Sequence, residues 1–131
     1  MQTFLPHPNF ACSALVLDRA RLGKQRLEAK QILIALVSGG GWKNHPAVKM
    51  WRGHEPALKF YHDVMIREWE RRGYKNTMAT YDVPDESIVM PSWMGREDFH
   101  AAHRAALLAK DPSHYAQFDW TEAPAVDYLW P

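Results

Sequence analysis

The chain carries one cysteine, Cys12, in 131 residues. That excludes an internal disulfide and fits a reducing compartment. Beside Ala11 and Leu15, Cys12 is expected to be a buried filler rather than a nucleophile. Long apolar runs are lacking as well. The longest, Ile32 to Val37, has six residues, far short of the roughly 20 needed to cross a bilayer, so no membrane partner is expected. Met1 to Asn9 has no basic start followed by an apolar stretch, so no secretory signal is read there. Excess charge is lacking too: 16 Lys and Arg against 15 Asp and Glu leave +1, too little for a protein that holds nucleic acid by bulk charge alone. Repeats, low-complexity tracts and linkers are not seen, and one domain over residues 1–131 is expected, long enough for a real core. Strand signals are nearly absent, with Ser87 to Met90 the one short candidate. Gly39 to Gly41 is no phosphate-binding loop, because no strand precedes it and no Gly-Lys-Ser/Thr follows.

Helical signals dominate what is present. Asn9 or Ser13 can cap a short turn containing Leu15, and Asp18 can cap a long helix. In that helix Leu22, Ala29, Leu33 and Leu36 recur at helical spacing until the three glycines. Asn44-His45-Pro46 is a second start signal, with Gly53 as its stop. A third helix is expected from Pro56, with Leu58, Tyr61, Met65 and Trp69 as its apolar stripe and Gly73 as its C-terminal cap. Residues 74–95 read as loop. A last long helix is expected from about Glu97 to Lys110, stopped by Asp111-Pro112. The fold class is therefore all-α, with about three main helices, short helical turns and an aromatic tail. That tail, Tyr115 to Pro131, carries Tyr115, Phe118, Trp120, Tyr128 and Trp130, which favours packing against the body over disorder. Base stacking is the functional alternative for these rings.

The charge is segregated along the chain. Residues 18–30 hold Arg19, Arg21, Lys24, Arg26 and Lys30 against Asp18 and Glu28, whereas residues 119–131 hold three acids and no cation. Such segregation can make one positive face on a nearly neutral protein. On a helix, Arg21, Lys24, Gln25 and Glu28 share a face beside the apolar stripe. Lys24 precedes Glu28 by four residues, the less favourable order for a stabilising pair. From the pattern alone Glu28 is either a surface acid in an ordinary ion pair or a carboxylate kept for chemistry.

Other candidates stay open on the residues alone. His100 and His103 stand one turn apart and could make core hydrogen bonds, contact DNA, or ligate a metal, although further ligands at a recognised zinc spacing are missing. Trp42, after the three glycines, is either a wedge between bases or a buried anchor for its loop. Arg67, Arg71, Arg72 and Lys75 form a second basic cluster tempered by Glu68 and Glu70.

The stretch LDRARLGKQRLEAKQIL (residues 17–33) resembles the long first helix of the phage-type pyrimidine-dimer DNA glycosylase/AP lyase family, endonuclease V. There an Asp-initiated helix bears arginines and one catalytic glutamate. GHEPALKFYHDVMIREWERRGYKNT (53–77) is similar to the family's following helix and its Arg-Gly-aromatic step. RAALLAKDPSHYAQF (104–118) is similar, more weakly, to the basic end of that family. Together the three blocks cover about half the chain.

The resemblance implies attack by an N-terminal α-amine on sugar C1′ of a damaged nucleotide, expulsion of the base, and a Schiff base that β-elimination resolves by cutting the strand. An α-amine, with an unperturbed pKa of about 7.7–8.0, keeps a useful neutral fraction near pH 7. Carried over by position, Glu28 is the acid/base and Met1 supplies the amine. The family's well-known members have a small second residue and lose Met; here Gln2 stands second, which implies that Met1 is retained. Arg21, Lys24, Gln25, Arg26, Lys30, Trp42, His100, His103, Arg104 and Lys110 are the expected DNA contacts. The expected partner is duplex DNA with a damaged or modified pyrimidine, extruded from the stack. It would be bound by a monomer in the cytoplasm of a bacterial or phage-infected cell. No metal or organic cofactor is implied. A non-catalytic nucleic-acid-binding module on the same scaffold is the alternative.

Overall fold

In the computed structural model, which describes residues 1–131, four of the six helices start where a side chain takes over an unpaired backbone N–H group. α1 (Phe10–Val16) is capped by Asn9, whose Oδ1 accepts the Cys12 N–H at 2.9 Å. α2 (Arg19–Ser38) is capped by Asp18 through the Arg21 N–H and closed by Gly39 at φ +80°, a left-handed turn that glycine adopts without steric cost. α3 (Pro46–Lys49) is capped by Nδ1 of His45, which accepts the Ala47 N–H at 3.0 Å. α4 (Glu55–Arg71), α5 (Glu97–Lys110) and α6 (Pro112–Tyr115) follow, with 3₁₀ turns at Asp85–Ser87 and Ala116–Phe118. The fold is all-α. The one short strand candidate, Ser87–Met90, does not form a strand. No neighbouring segment offers a ladder there, and Val89 and Met90 project into solvent.

α2 packs along α4. Leu22, Ala29, Ile32 and Leu33 from one helix and Leu58, Tyr61 and Met65 from the other are all buried, and Phe99, Ala106 and Leu107 of α5 join the same core. Close approach depends on Gly23, where a Cβ would sit 2.8 Å from Cζ3 of Trp69. The Trp69 ring lies beneath the Arg26 guanidinium, 4.4 Å from the ring centre, and its N–H donates to the Lys75 carbonyl at 2.9 Å. A half-buried tryptophan thus fastens the start of the long loop that follows α4. Further along that loop, the Asp63 carboxylate accepts the N–H groups of Tyr81 and Asp82. No helix is long and apolar enough to cross a membrane.

The N-terminal segment is extended and buried, an arrangement that forces its backbone to find side-chain partners. Phe4 N–H donates to Gln25 Oε1 at 2.8 Å, and Leu5 N–H donates to His103 Nδ1 at 2.8 Å. The Phe4 carbonyl accepts from the Tyr61 hydroxyl at 2.9 Å, and the Pro6 carbonyl accepts from Arg104 at 2.8 Å. The Leu5 carbonyl meets His100 Nδ1 at 2.8 Å, and Trp51 Nε1–H donates to the Thr3 hydroxyl at 3.0 Å. Helices α2, α4 and α5 all contribute, so the segment acts as a strut through the core.

The tail packs back, as the aromatic content predicts. Trp120 stacks on the buried Tyr115 at 5.5 Å, Tyr128 lies edge-on to Phe4 and His103, and Trp130 meets His45 at 6.0 Å. Cys12 departs from expectation. It is exposed, because α1 turns Phe10, Ser13 and Ala14 inward and leaves positions 11, 12 and 15 on its solvent side.

Candidate active site

A cavity of about 340 Å³ opens where the N-terminal segment crosses α2. Met1, Gln2 and Phe4 form one wall, Arg21, Lys24, Gln25 and Glu28 of α2 form another, and Lys110 and Tyr128 close it from the C-terminal side. The one-face arrangement of Arg21, Lys24, Gln25 and Glu28 is what helical spacing requires. What brings Met1 to the same place is the buried strut, not any local signal.

Glu28 is only 9% exposed, although it lies on a helix rich in cations. Its Oε2 accepts the main-chain N–H of Gln2 at 3.3 Å, and Lys24 Nζ lies 3.8 Å from its Oε1. Lys24 keeps 71% of its side chain in solvent, so the pair is loose and the ammonium can reach a phosphate. Arg21 is held by both oxygens of Asp18 at 3.3 Å. The Asp18 carboxyl feels burial, which raises its pKa, but the hydrogen bond from the Tyr115 hydroxyl and the charge and hydrogen bonds of Arg21 outweigh it and hold the group below its ordinary value. In the same contact, burial foremost and the bond to Asp18 together push the Tyr115 hydroxyl far above the usual phenol range.

His45 does not line the cavity but lies close enough to feel its charges, a placement the sequence did not foretell. Burial lowers its pKa, the neighbouring chain-terminal amine lowers it further, and Glu28 opposes both. With Nδ1 already accepting the Ala47 N–H, the neutral ring carries its proton on Nε2. Tyr61 lies beneath the site, its hydroxyl 2.6 Å from Gln25 Oε1. Burial, and then the charge of Glu28, keep that phenol protonated. The only sequence trace of His45 is its place before Pro46, which signals a helix start and says nothing of chemistry.

The remaining expected DNA contacts divide. Lys110 joins the cavity rim and is exposed. Trp42 is 58% exposed at its loop, edge-on to His45, so the buried-anchor reading fails for it. Arg26 leans away from Glu28 toward Asn76, 2.6 Å away, and Lys30 is exposed without lining the cavity, because both lie on other sides of α2. Gln25, His100, His103 and Arg104 are withdrawn from the surface. Gln25, His100 and His103 are at most 1% exposed and hold the strut. Arg104 is clamped between Glu97, Glu122 and the Pro6 carbonyl. His100, His103 and Arg104 are thus turned to backbone or carboxylate partners inside the body, whereas Gln25 gives its Oε1 to the strut and still lines the cavity. In the second basic cluster Arg71 and Arg72 both grip Glu68 and Arg67 meets Asp82.

The fold and the cavity define an all-α protein with a cationic cleft built around a single buried carboxylate. Residues 1–82, more than half of the chain, match the family model described as pyrimidine dimer DNA glycosylase, and the chain belongs to that family. The matched region holds the first two blocks that carry the resemblance and, within the cavity, Met1, Arg21, Lys24 and Glu28; Lys110, Tyr128 and the third block lie beyond it. No curated protein and no solved structure matches the chain.

Proposed function

We propose that residues 1–131 work as one unit, a monomeric DNA glycosylase with AP-lyase activity. It excises a damaged pyrimidine from duplex DNA through the α-amine of Met1. The observation that carries this reading is the Gln2 N–H on Glu28 Oε2, which keeps the preceding amine beside the one carboxylate of a cleft rimmed by Arg21, Lys24 and Lys110. The family's description supports the glycosylase part.

In this mechanism the amine lone pair bonds to C1′ while the C1′–N1 pair departs with the base. Glu28 takes the proton that the new ammonium sheds and delivers one where the departing groups need it. The nitrogen lone pair then expels O4′, which gains a proton, and a Schiff base forms between Met1 and C1′. Loss of a C2′ proton sends the C3′–O3′ pair out with the 3′ phosphate and cuts the strand. Water releases the enzyme. Arg21, Lys24 and Lys110 hold phosphates through this sequence, and Trp42 fills the gap left by the extruded nucleotide. No cofactor enters.

Borohydride reduction in the presence of abasic or ultraviolet-damaged duplex is the test, read as intact mass. A covalent adduct on Met1 is expected, lost when the amine is blocked. Salt-dependent DNA binding with no adduct and no base release overturns the proposal and leaves a binding module on this scaffold.

A further inference from the structure

The side chain of Gln2 carries a feature the mechanism above does not use. The residue is 6% exposed, and its Oε1 accepts the Thr3 N–H at 2.9 Å. That bond sets which end of the carboxamide is oxygen and leaves Nε2 as a two-proton donor. Nε2 is buried and has no hydrogen-bond partner in the protein. Unpaired buried donors are destabilising, so one that persists at a site asks for a role. The other two such atoms, on His62 and His103, belong to side chains that do not line the cavity, whereas Gln2 does.

We infer that Gln2 is a catalytic residue for base departure, its Nε2–H donating to the O2 carbonyl of the pyrimidine as the glycosidic bond breaks. The inference rests on the glycosylase reading and names the group that accepts the leaving base's charge. Arg21, Lys24 and Lys110 already serve phosphates, and the neighbouring Glu28 carboxylate repels any anion brought deep into the same wall. A neutral donor there suits an acceptor that is neutral when it binds and becomes anionic during reaction. Pyrimidine O2 is such an acceptor: when the C1′–N1 pair leaves with the base, negative charge spreads from N1 onto O2. A hydrogen bond that strengthens at that moment lowers the barrier rather than only tightening binding. Because Nε2 is shielded from bulk water, solvent does not compete for it.

The inference separates base release from strand cutting, since an abasic site has no base to lose. Gln2→Met keeps the bulk and the main-chain N–H on Glu28 while removing the donor. Base release from ultraviolet-damaged duplex is expected to fall about 10- to 100-fold, with borohydride trapping on abasic duplex within about threefold of the wild type. Retained trapping also reports that the variant folds and places its terminus. Gln2→Glu, which exchanges the NH₂ donor for an acceptor, repeats the split if Met disturbs packing. Equal loss of both steps shows that Gln2 only positions the terminus and overturns the inference, as does a variant indistinguishable from wild type. If the wild type releases base without trapping, the covalent part of the proposed function fails, and the Gln2 effect is then read as lost release against unchanged binding of abasic duplex. A wild type with neither activity removes the glycosylase reading and this inference with it.

Discussion

Leu5 gives its main-chain N–H to Nδ1 of His103, 98 residues further along the chain, at 2.8 Å. The acceptor must be an unprotonated nitrogen, and burial, with His100 beside it, pushes the His103 pKa down to about 3. The unfolded chain binds this proton near pH 6.5, the folded chain only near 3, so between those values the unfolded state holds more protons and stability falls as pH is lowered. One such group contributes a slope of up to about 1.4 kcal/mol per pH unit. Urea unfolding from pH 7 to 4 is expected to show this loss, and His103→Gln, which can still accept the Leu5 N–H, to show a shallower slope.

Glu28→Gln removes the proton-transfer group while keeping shape. Turnover on damaged duplex is expected to drop by about 10²- to 10⁴-fold, with DNA affinity equal to or above that of wild type because a negative charge leaves the cleft. Single-turnover cleavage and fluorescence anisotropy on the same sample measure the two effects. Loss of affinity in step with loss of rate assigns Glu28 to binding instead.

Lys24 and Lys110 are exposed cations on the cavity rim, whereas Arg104 is a tied cation within the body. Lys24→Gln and Lys110→Gln are each expected to weaken binding and reduce the slope of log affinity against log salt by about 1. Arg104→Gln is expected to lower the melting temperature while leaving that slope unchanged. Anisotropy titrations at several salt concentrations distinguish them.

Gly23→Ala puts a methyl 2.8 Å from the Trp69 ring at the crossing of α2 and α4. Over-packing of this kind costs about 1–3 kcal/mol. Thermal melts read it, and relief by Trp69→Leu assigns the strain to that ring.

Cys12 is exposed on α1. One equivalent of a thiol reagent is expected to react in the native state without loss of cleavage, and Cys12→Ser to shift stability by no more than about 0.5 kcal/mol.

The chain's local grammar was legible without coordinates. Asn9, Asp18 and Gly39 mark helix ends because capping is settled within a few residues, and the side of α2 shared by Arg21, Lys24 and Glu28 follows from helical periodicity alone. What no window of sequence could show is which polar residues turn inward. Gln25 and Arg104 are expected from sequence to meet DNA, and His100 and His103 stay open between core hydrogen bonds, DNA and a metal, yet a buried extended segment has backbone donors and acceptors that such side chains satisfy. Partners 21 to 98 residues apart meet there, so the seating of residues 1–6, and with it the meeting of Met1, Gln2 and Glu28 at one cavity, was decided by tertiary packing. Helices form from near neighbours; this cleft forms because the core needed a strut and three helices supplied the hydrogen bonds to hold it.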